Sequence, residues 1–182
     1  MDTKDTHEII KALKQEFFAY RNGMLGDLLR SNGDCHKMIL GLNLPQIQEI
    51  TSRCKKNKEV AEELWENTNH RECRMAAPFL YPTEEFSIED AQRWCDSIEN
   101  IEIADTICHK LIRYLPYAQT LVEKYYASDN YILRYTALRL LLNLLLIEKF
   151  GDKELAKRIA EESAFYPDSK IKDLTQSILE EC

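Results

Sequence analysis

One stretch of the chain spaces a carboxylate, an imidazole and a guanidinium at helical intervals. Glu102, Asp105, His109 and Arg113 follow one another at steps of three, four and four residues, which places them on one stripe of an α-helix. The stripe has two interpretations at this point. It is a solvated face with i,i+4 pairs, or it presents a functional carboxylate, Asp105, with His109 and Arg113 nearby.

A second segment combines an arginine with aromatic rings. Tyr131, Arg134, Tyr135 and Leu138 recur at i, i+3, i+4 and i+7, so they lie on one side of a helix. An arginine between tyrosines is suited to binding phosphate while the rings pack or stack, and Lys124 stands shortly before this segment. In the alternative interpretation the rings belong to the core, and Arg134 extends past them to an acidic residue.

The cysteines and histidines do not form a metal-ligand pattern. Six cysteines occur at positions 35, 54, 73, 95, 108 and 182, and no two of them form a C-x-x-C pair. The sequence also lacks H-E-x-x-H, a glycine-rich nucleotide loop and zinc-finger spacing. We therefore predict no metal and no cofactor, and reduced cysteines packed in the core. His7 and His36 are predicted at the surface, and Trp65 and Trp94 in the core.

The elements that position these residues are predicted to be helices. Nearly all of the chain after residue 44 is predicted to be helical. The chain has only five glycines and five prolines, so the repeated turns of a β-sandwich or barrel are not available. Pro45 and Ser87 are placed to begin helices, Asp129 or Asn130 to cap the helix that follows, and Gly151 to end it. The predicted helices cover residues 6–20, 45–57, 58–67, 70–81, 88–95, 101–113, 116–126, 131–150, 152–165 and 168–180.

The order of these helices predicts the architecture. Helices of about 10–20 residues alternate with short connections, and pairs recur about every 30–40 residues. This spacing is typical of helical hairpins stacked side by side, as in HEAT-like solenoids. A compact multi-helix bundle is the alternative. The glycine-rich residues 21–44 are predicted to hold the least regular structure.

The composition sets limits on partners. The 182 residues are 45% hydrophobic and 30% charged, with a net charge of −7, which indicates one globular domain over residues 1–182. An acidic chain does not have generic affinity for nucleic acid, although a local basic patch remains compatible with it. The longest apolar stretch, 137–147, is shorter than the ~20 residues that span a bilayer. We therefore expect no membrane partner, and a cytoplasmic location.

Four segments, in order, resemble the DNA alkylation repair family of AlkD-like proteins. They are KMILGLNLPQIQEI, the E-x-R-x-x-A helix within HRECRMAAPFLY, the segment RWCDSIENIEIADTICHKLI, and NYILRYTALRLL. The resemblance as a whole covers about residues 8–150. The resemblance implies an all-α fold, an α-α superhelix of HEAT-like helical repeats. It also implies a DNA N-glycosylase that releases cationic alkylated purines from double-stranded DNA.

The family's functional positions can be carried onto this sequence one by one. The catalytic aspartate falls on Asp105, whereas the family's tryptophan falls on Ile101 and its arginine on Tyr135, with Arg134 one residue earlier. The resemblance implies catalysis by Asp105. The residues predicted to bind the nucleic acid are Arg134, Tyr135, Arg113, His109 and Lys124. Because two of these three positions differ, the alternative is a non-catalytic HEAT-like scaffold that binds nucleic acid or a protein or peptide partner.

Overall fold

The computed structural model describes residues 3–182, with side chains described from residue 5. Eleven α-helices and two 3₁₀ helices form in this part of the chain, and it contains no β-strand. The α-helices are α1 Thr3–Ala19, α2 Gly23–Ser31, α3 Leu44–Ser52, α4 Lys58–Glu66, α5 Arg71–Leu80, α6 Ile88–Asp96, α7 Ile101–Lys110, α8 Ala118–Tyr125, α9 Tyr131–Leu146, α10 Lys153–Ser163 and α11 Ser169–Glu181. The 3₁₀ helices are Thr83–Glu85 and Ile112–Tyr114.

The described helices divide into two compact units, and the boundary along the chain lies between Phe86 and Ser87. In the first unit, α4 packs against α5, α3 also packs on α5, and α1 contacts α3 and α4. In the second unit, α9 is central and packs against α7, α8 and α11, while α10 packs on α11. The predicted single domain over 1–182 stays a prediction, and its first two residues, Met1 and Asp2, lie outside the described residues.

Local capping sets most helix starts where the sequence predicts them. Asn43 and the Gln46 side chain form a reciprocal capping box at α3, and Ser87 accepts a hydrogen bond from the Asp90 backbone N–H at α6. Asn130 accepts from the N–H groups of Ile132 and Leu133 at α9. These side chains satisfy backbone donors that have no partner within the helix.

The end of α9 differs from the prediction. The helix stops at Leu146 rather than at Phe150, and Gly151 does not terminate it. Glu148 adopts a positive φ of 56°, and the Lys149 N–H donates to the Leu144 carbonyl. This is a Schellman closure with a non-glycine residue in the left-handed position.

The glycine-rich segment holds the longest connection between the described helices, residues 32–43, in agreement with the prediction that 21–44 are the least regular part. Residues 23–31 nevertheless form α2, because the Asn22 side chain caps the helix by accepting a hydrogen bond from the Leu25 N–H. Irregular backbone is confined to the connection that follows, where Gly33 and Gly41 have positive φ. At Gly41 an added Cβ would collide with the Asn22 carbonyl oxygen and with the Gly26 nitrogen.

Burial confirms some predicted core residues and corrects others. Trp65 and Trp94 are fully buried, as predicted. All six cysteines are free thiols, but only Cys73, Cys95 and Cys108 are buried, while Cys35 and Cys182 are exposed. His36 is buried rather than at the surface, because its Nδ1 lies 2.6 Å from Asp34 Oδ1 inside a network of buried charges. None of the described helices combines the length and apolarity that crossing a bilayer requires.

A buried ionic network explains the glutamate of the E-x-R-x-x-A helix. Glu72 is fully buried at the start of α5 and accepts hydrogen bonds from the backbone N–H groups of Leu40 and Gly41. Arg71 Nη1 donates to Glu72 at 2.9 Å and to the Leu42 carbonyl at 3.0 Å. Burial alone would raise the pKa of Glu72, but His70, the backbone donors and Arg71 outweigh it and lower the pKa to about 2. The carboxylate therefore fixes the connection 40–42 onto α5.

Candidate functional site

Helix α7 places Asp105 at the margin of the second unit's core. Asn100 caps the helix by accepting a hydrogen bond from the Ile103 N–H. Ala104 and Cys108 are fully buried, and the Cys108 thiol donates to the Thr136 carbonyl of α9 at 3.4 Å. Since the apolar stripe of α7 faces α9, Asp105 lies at the edge of that interface, half-buried.

Two side chains of α9 converge on one oxygen of Asp105. The Tyr135 hydroxyl donates to Asp105 Oδ1 at 2.9 Å. Arg139 Nε approaches the same oxygen at 3.0 Å, an ion pair without hydrogen-bond alignment. The side chains of Arg139 and Asp105 remain 34% and 37% exposed. Within the described chain, Asp105 Oδ2 and the two Nη groups of Arg139 form no hydrogen bond or ion pair with another side chain, so both charged groups are available to a ligand.

The spacing within α9 explains this convergence. Tyr135 and Arg139 are four residues apart, so they project from the same face of the helix, one turn from each other. Sequence analysis predicted Tyr135 as a site residue but did not identify Arg139. The available signal was a charged residue one turn beyond Tyr135 in a helix whose other positions from 135 to 145 are mostly buried.

Opposing influences act on the carboxyl group of Asp105. Burial raises its pKa above the ordinary value, while the charge of Arg139, the hydrogen bond from Tyr135 and the charge of Lys170 lower it; Glu102 adds to the rise. The net result is a raised pKa. Burial and the neighbouring Asp105 carboxylate also raise the pKa of Tyr135, so its hydroxyl keeps its proton and stays a donor.

Beyond Asp105, the α7 stripe continues with an imidazole and a guanidinium. Burial lowers the pKa of His109, and the charges of Arg113, Lys110 and Arg139 lower it further. His109 is therefore neutral at pH 7 and offers a hydrogen bond rather than a charge. Arg113 Nη2 donates to the Tyr114 hydroxyl at 2.6 Å. The cationic neighbours that act on Asp105 itself are Arg139 and Lys170, and Glu102 is an acidic one.

Arg134 lies in a different environment from Asp105. Its Nε donates to the Ser128 carbonyl at 2.9 Å, and its guanidinium lies over the Tyr166 ring, with 4.6 Å between Cζ and the ring centroid. Tyr131 stacks on the same ring at 6.4 Å. The cause is helical geometry, because one residue along a helix turns the side chain by about 100°, so Tyr135 and not Arg134 faces Asp105.

The other predicted positions are also placed by the structure. Lys124 is exposed on α8, with its Nζ 5.0 Å from the Tyr125 ring centroid. Ile101, at the position of the family's tryptophan, is half-buried in the first turn of α7. Among the residues described, no group of three acidic, histidine or cysteine side chains is arranged to hold a metal ion.

The arrangement suits two chemical tasks. A half-exposed carboxylate with one unengaged oxygen stabilises a cationic group that approaches it. A guanidinium with unengaged Nη groups binds a phosphate. Asp105 and Arg139 are held side by side, so one ligand with a cationic centre next to a phosphate would contact both.

Comparisons with known proteins agree with this architecture. The family model described as DNA alkylation repair enzyme matches residues 13–178, so it begins slightly later than the resemblance over about residues 8–150 and extends further towards the C-terminus. A solved structure from a new family of proteins related to the HEAT-like repeat DNA glycosylases, with affinity for branched DNA structures, superposes with a TM-score of 0.81. The two chains are 19% identical, and the match covers 94% of this chain and 74% of the other. A search of curated proteins returned no match. The all-α class with HEAT-like helical repeats is confirmed.

Proposed function

Since the chain belongs to the DNA alkylation repair family, as its sequence resemblance predicted, we propose that it binds DNA and excises cationic alkylated purines at Asp105. The observation that carries this proposal is the half-exposed Asp105 carboxylate, which keeps Oδ2 unengaged while Tyr135 and Arg139 hold Oδ1. A carboxylate fixed in this way can stabilise a positive charge that develops on a substrate next to it.

The chemistry needs few protein groups. Alkylation gives the purine a positive charge, so the base leaves with the electron pair of the N-glycosidic bond and becomes neutral without a general acid. The sugar gains oxocarbenium character, which the Asp105 carboxylate stabilises. Water then attacks C1′ and loses a proton to the carboxylate or to solvent. The products are the free base and an abasic site.

The nucleic-acid contacts predicted from the sequence form part of the proposal. Arg134, held by Ser128 and Tyr166, presents its Nη groups to a phosphate, and Arg139 does the same beside Asp105. Tyr135 orients Asp105. Arg113, His109 and Lys124 are proposed as outer contacts to the DNA backbone. A cytoplasmic location remains a prediction from the sequence.

The direct test is release of 7-methylguanine from methylated duplex DNA. We expect the wild-type protein to release the base and Asp105→Asn to lose at least about a hundredfold in rate. Glu102→Gln is the matched control, because it removes a carboxylate one turn away on the same helix, and it should retain activity. Wild-type release at the background rate would refute the excision step.

The two arginines of α9 separate DNA binding from excision. Arg134→Ala and Arg139→Ala should each weaken binding to duplex DNA about three- to tenfold, because each removes a phosphate contact. Of the two variants, only Arg139→Ala should also change the excision rate of bound substrate, because Arg139 and not Arg134 forms an ion pair with Asp105. Equal single-turnover rates in both variants would exclude a role for Arg139 at the reacting centre.

A second candidate is DNA binding without excision. Ile101 favours it, because an aliphatic side chain at this position offers no ring to attract a cationic base. The structural neighbour described as having affinity for branched DNA suggests the probe, a four-way junction compared with a linear duplex of equal length. Tighter junction binding that survives Asp105→Asn, with no base release, would support this candidate over the first.

A further inference from the structure

The first unit carries a groove that the site of the second unit does not involve. It consists of two adjoining cavities of about 550 Å³ and about 470 Å³, which share Lys14 and Phe18 in their walls. One cavity lies between α1 and Glu63 of α4, and the other reaches Lys37 and Met38. We refer to the two together as the α1 groove.

The floor of the α1 groove is apolar and open to solvent. Phe18 is 56% exposed and Met38 is 50% exposed, which is unusual for large apolar side chains that lie together. The core side of α1 is formed by Ile10, Leu13 and Phe17, all of them buried. Phe18 is therefore not needed to attach α1 to the rest of the unit, and it lies on a second face of the helix.

The rim of the α1 groove is basic. Lys11, Lys14 and Lys37 line it, and Glu63 is the acidic side chain in its wall. Within the part of the chain that the structure describes, these three lysines form no ion pair. Arg53, on the same unit, pairs with Glu49 at 2.6 Å and with Glu16 at 3.5 Å. A set of unpaired lysines around an apolar floor is thus a local exception in a protein with a net charge of −7.

The shape and lining favour a peptide over a nucleic acid. Single-stranded nucleic acids stack on open aromatic faces, but Phe18 is the aromatic ring of the floor and Arg21 already covers one of its faces, 4.2 Å from the centroid. The Arg21 guanidinium is held there by a hydrogen bond to the Phe18 carbonyl. Aliphatic walls with charged rims match an amphipathic helix laid in a groove.

We propose that the α1 groove binds an acidic amphipathic helix of a partner protein. The apolar side chains of the helix lie on Phe18 and Met38, and its carboxylates pair with Lys11, Lys14 and Lys37. Charge complementarity selects an acidic segment, because these three lysines form no ion pair with any of the described residues. This surface lies in the first unit, so the proposal does not depend on excision at Asp105.

The test uses fluorescein-labelled peptides and the full-length protein. The probe is a helical peptide with leucines at i, i+3, i+4 and i+7 and glutamates elsewhere, and the control probe replaces each glutamate with lysine. We expect saturable binding of the acidic peptide, measured by fluorescence anisotropy, and none of the basic one. Phe18→Ala and the pair Lys11→Glu with Lys14→Glu should each weaken binding at least about tenfold.

A charge-matched control keeps the result specific. Lys55→Glu with Lys172→Glu makes the same change in net charge at exposed positions outside the groove and should leave binding within about twofold. Absence of binding by the acidic peptide, or equal binding of the basic peptide, would overturn the proposal. The proposal would also be overturned if a labelled oligo-dT strand bound instead and the Lys11→Glu, Lys14→Glu variant lost that binding. The groove would then be assigned to nucleic acid.

Discussion

At the residue scale, the notable feature is how Asp105 is held. Burial raises its pKa, and this costs stability whenever the carboxyl is ionised in the folded protein. The sign follows from linkage, because a folded-state pKa above the unfolded value means that stability falls as pH rises through that interval. Tyr135 and Arg139 offset part of this cost. A carboxyl group whose pKa is raised by burial and partly lowered again by specific partners is typical of a functional position.

Removal of the Tyr135 hydroxyl tests this arrangement. Tyr135→Phe deletes the hydrogen bond that lowers the pKa of Asp105, so the pKa should rise further, and any activity that needs ionised Asp105 should begin at a higher pH. The measurement is a carboxyl-carbon NMR titration of Asp105 together with a pH–rate profile. Tyr131→Phe is the control, because that hydroxyl donates to Asp168. An Asp105 pKa that stays constant or falls would contradict this account.

At the element scale, connections between helices depend on side chains far away in sequence. Glu72, in the first turn of α5, binds the backbone of residues 40 and 41. Arg74, from the same helix, donates to the Trp65 carbonyl of α4 at 2.7 Å. The charged residues of the E-x-R-x-x-A pattern are both buried, so in this protein they stabilise the fold of the first unit and do not contact a ligand.

Glu72→Gln should destabilise the protein strongly and change its acid sensitivity. The wild-type carboxylate has a pKa of about 2, against an ordinary value of 4.5, so it contributes on the order of 3 kcal/mol at neutral pH. Its contribution is present above pH ~4.5 and disappears as the pH falls towards ~2. Urea unfolding at several pH values checks this. A variant that unfolds with the wild-type pH dependence would contradict it.

The connection at Gly41 makes a second prediction at this scale. Gly41 has a φ of 78°, and a Cβ there would lie 2.6 Å from the Gly26 nitrogen. Gly41→Ala should therefore cost at least about 2 kcal/mol in free energy of unfolding. Gly151→Ala, where nothing lies within 4 Å of an added Cβ, should change stability by less than about 1 kcal/mol. Thermal unfolding of the two variants side by side decides the matter, and equal melting temperatures would refute the steric argument.

At the scale of the whole molecule, charge is distributed unevenly. The chain carries 31 acidic and 24 basic residues, yet three lysines line the α1 groove, and Arg139 and Lys170 lie near Asp105. Because the net charge is negative, long-range attraction to DNA is weak, and the DNA binding that we propose depends on local phosphate contacts that release counterions. Such binding has a characteristic dependence on salt concentration.

Affinity for duplex DNA should fall steeply with salt. With about four phosphate contacts, the association constant should fall about a hundredfold between 50 and 200 mM salt. Arg134→Ala and Arg139→Ala should each make the slope of log K against log salt shallower by about one. Anisotropy titrations at a series of salt concentrations measure this. An affinity independent of salt would argue against phosphate contacts at α9.

The sequence alone determined most of what is local in this protein. The all-helical class follows from the composition. The starts of α3, at Asn43 and Pro45, and of α6, at Ser87, follow from side chains that cap the backbone within three residues. The helical spacing likewise predicted that Asp105 lies in a helix, which is α7. These features depend on neighbours along the chain, so one-dimensional patterns suffice to predict them.

The tertiary structure decided what depends on distant partners. Arg139, not Arg134, pairs with Asp105, because the packing of α7 on α9 selects which face of α9 meets the carboxylate. The burial of Glu72 against residues 40–42 is equally out of reach of local patterns. A one-residue step on a helix changes the direction of a side chain by about 100°, and only the packed helices show which direction is used.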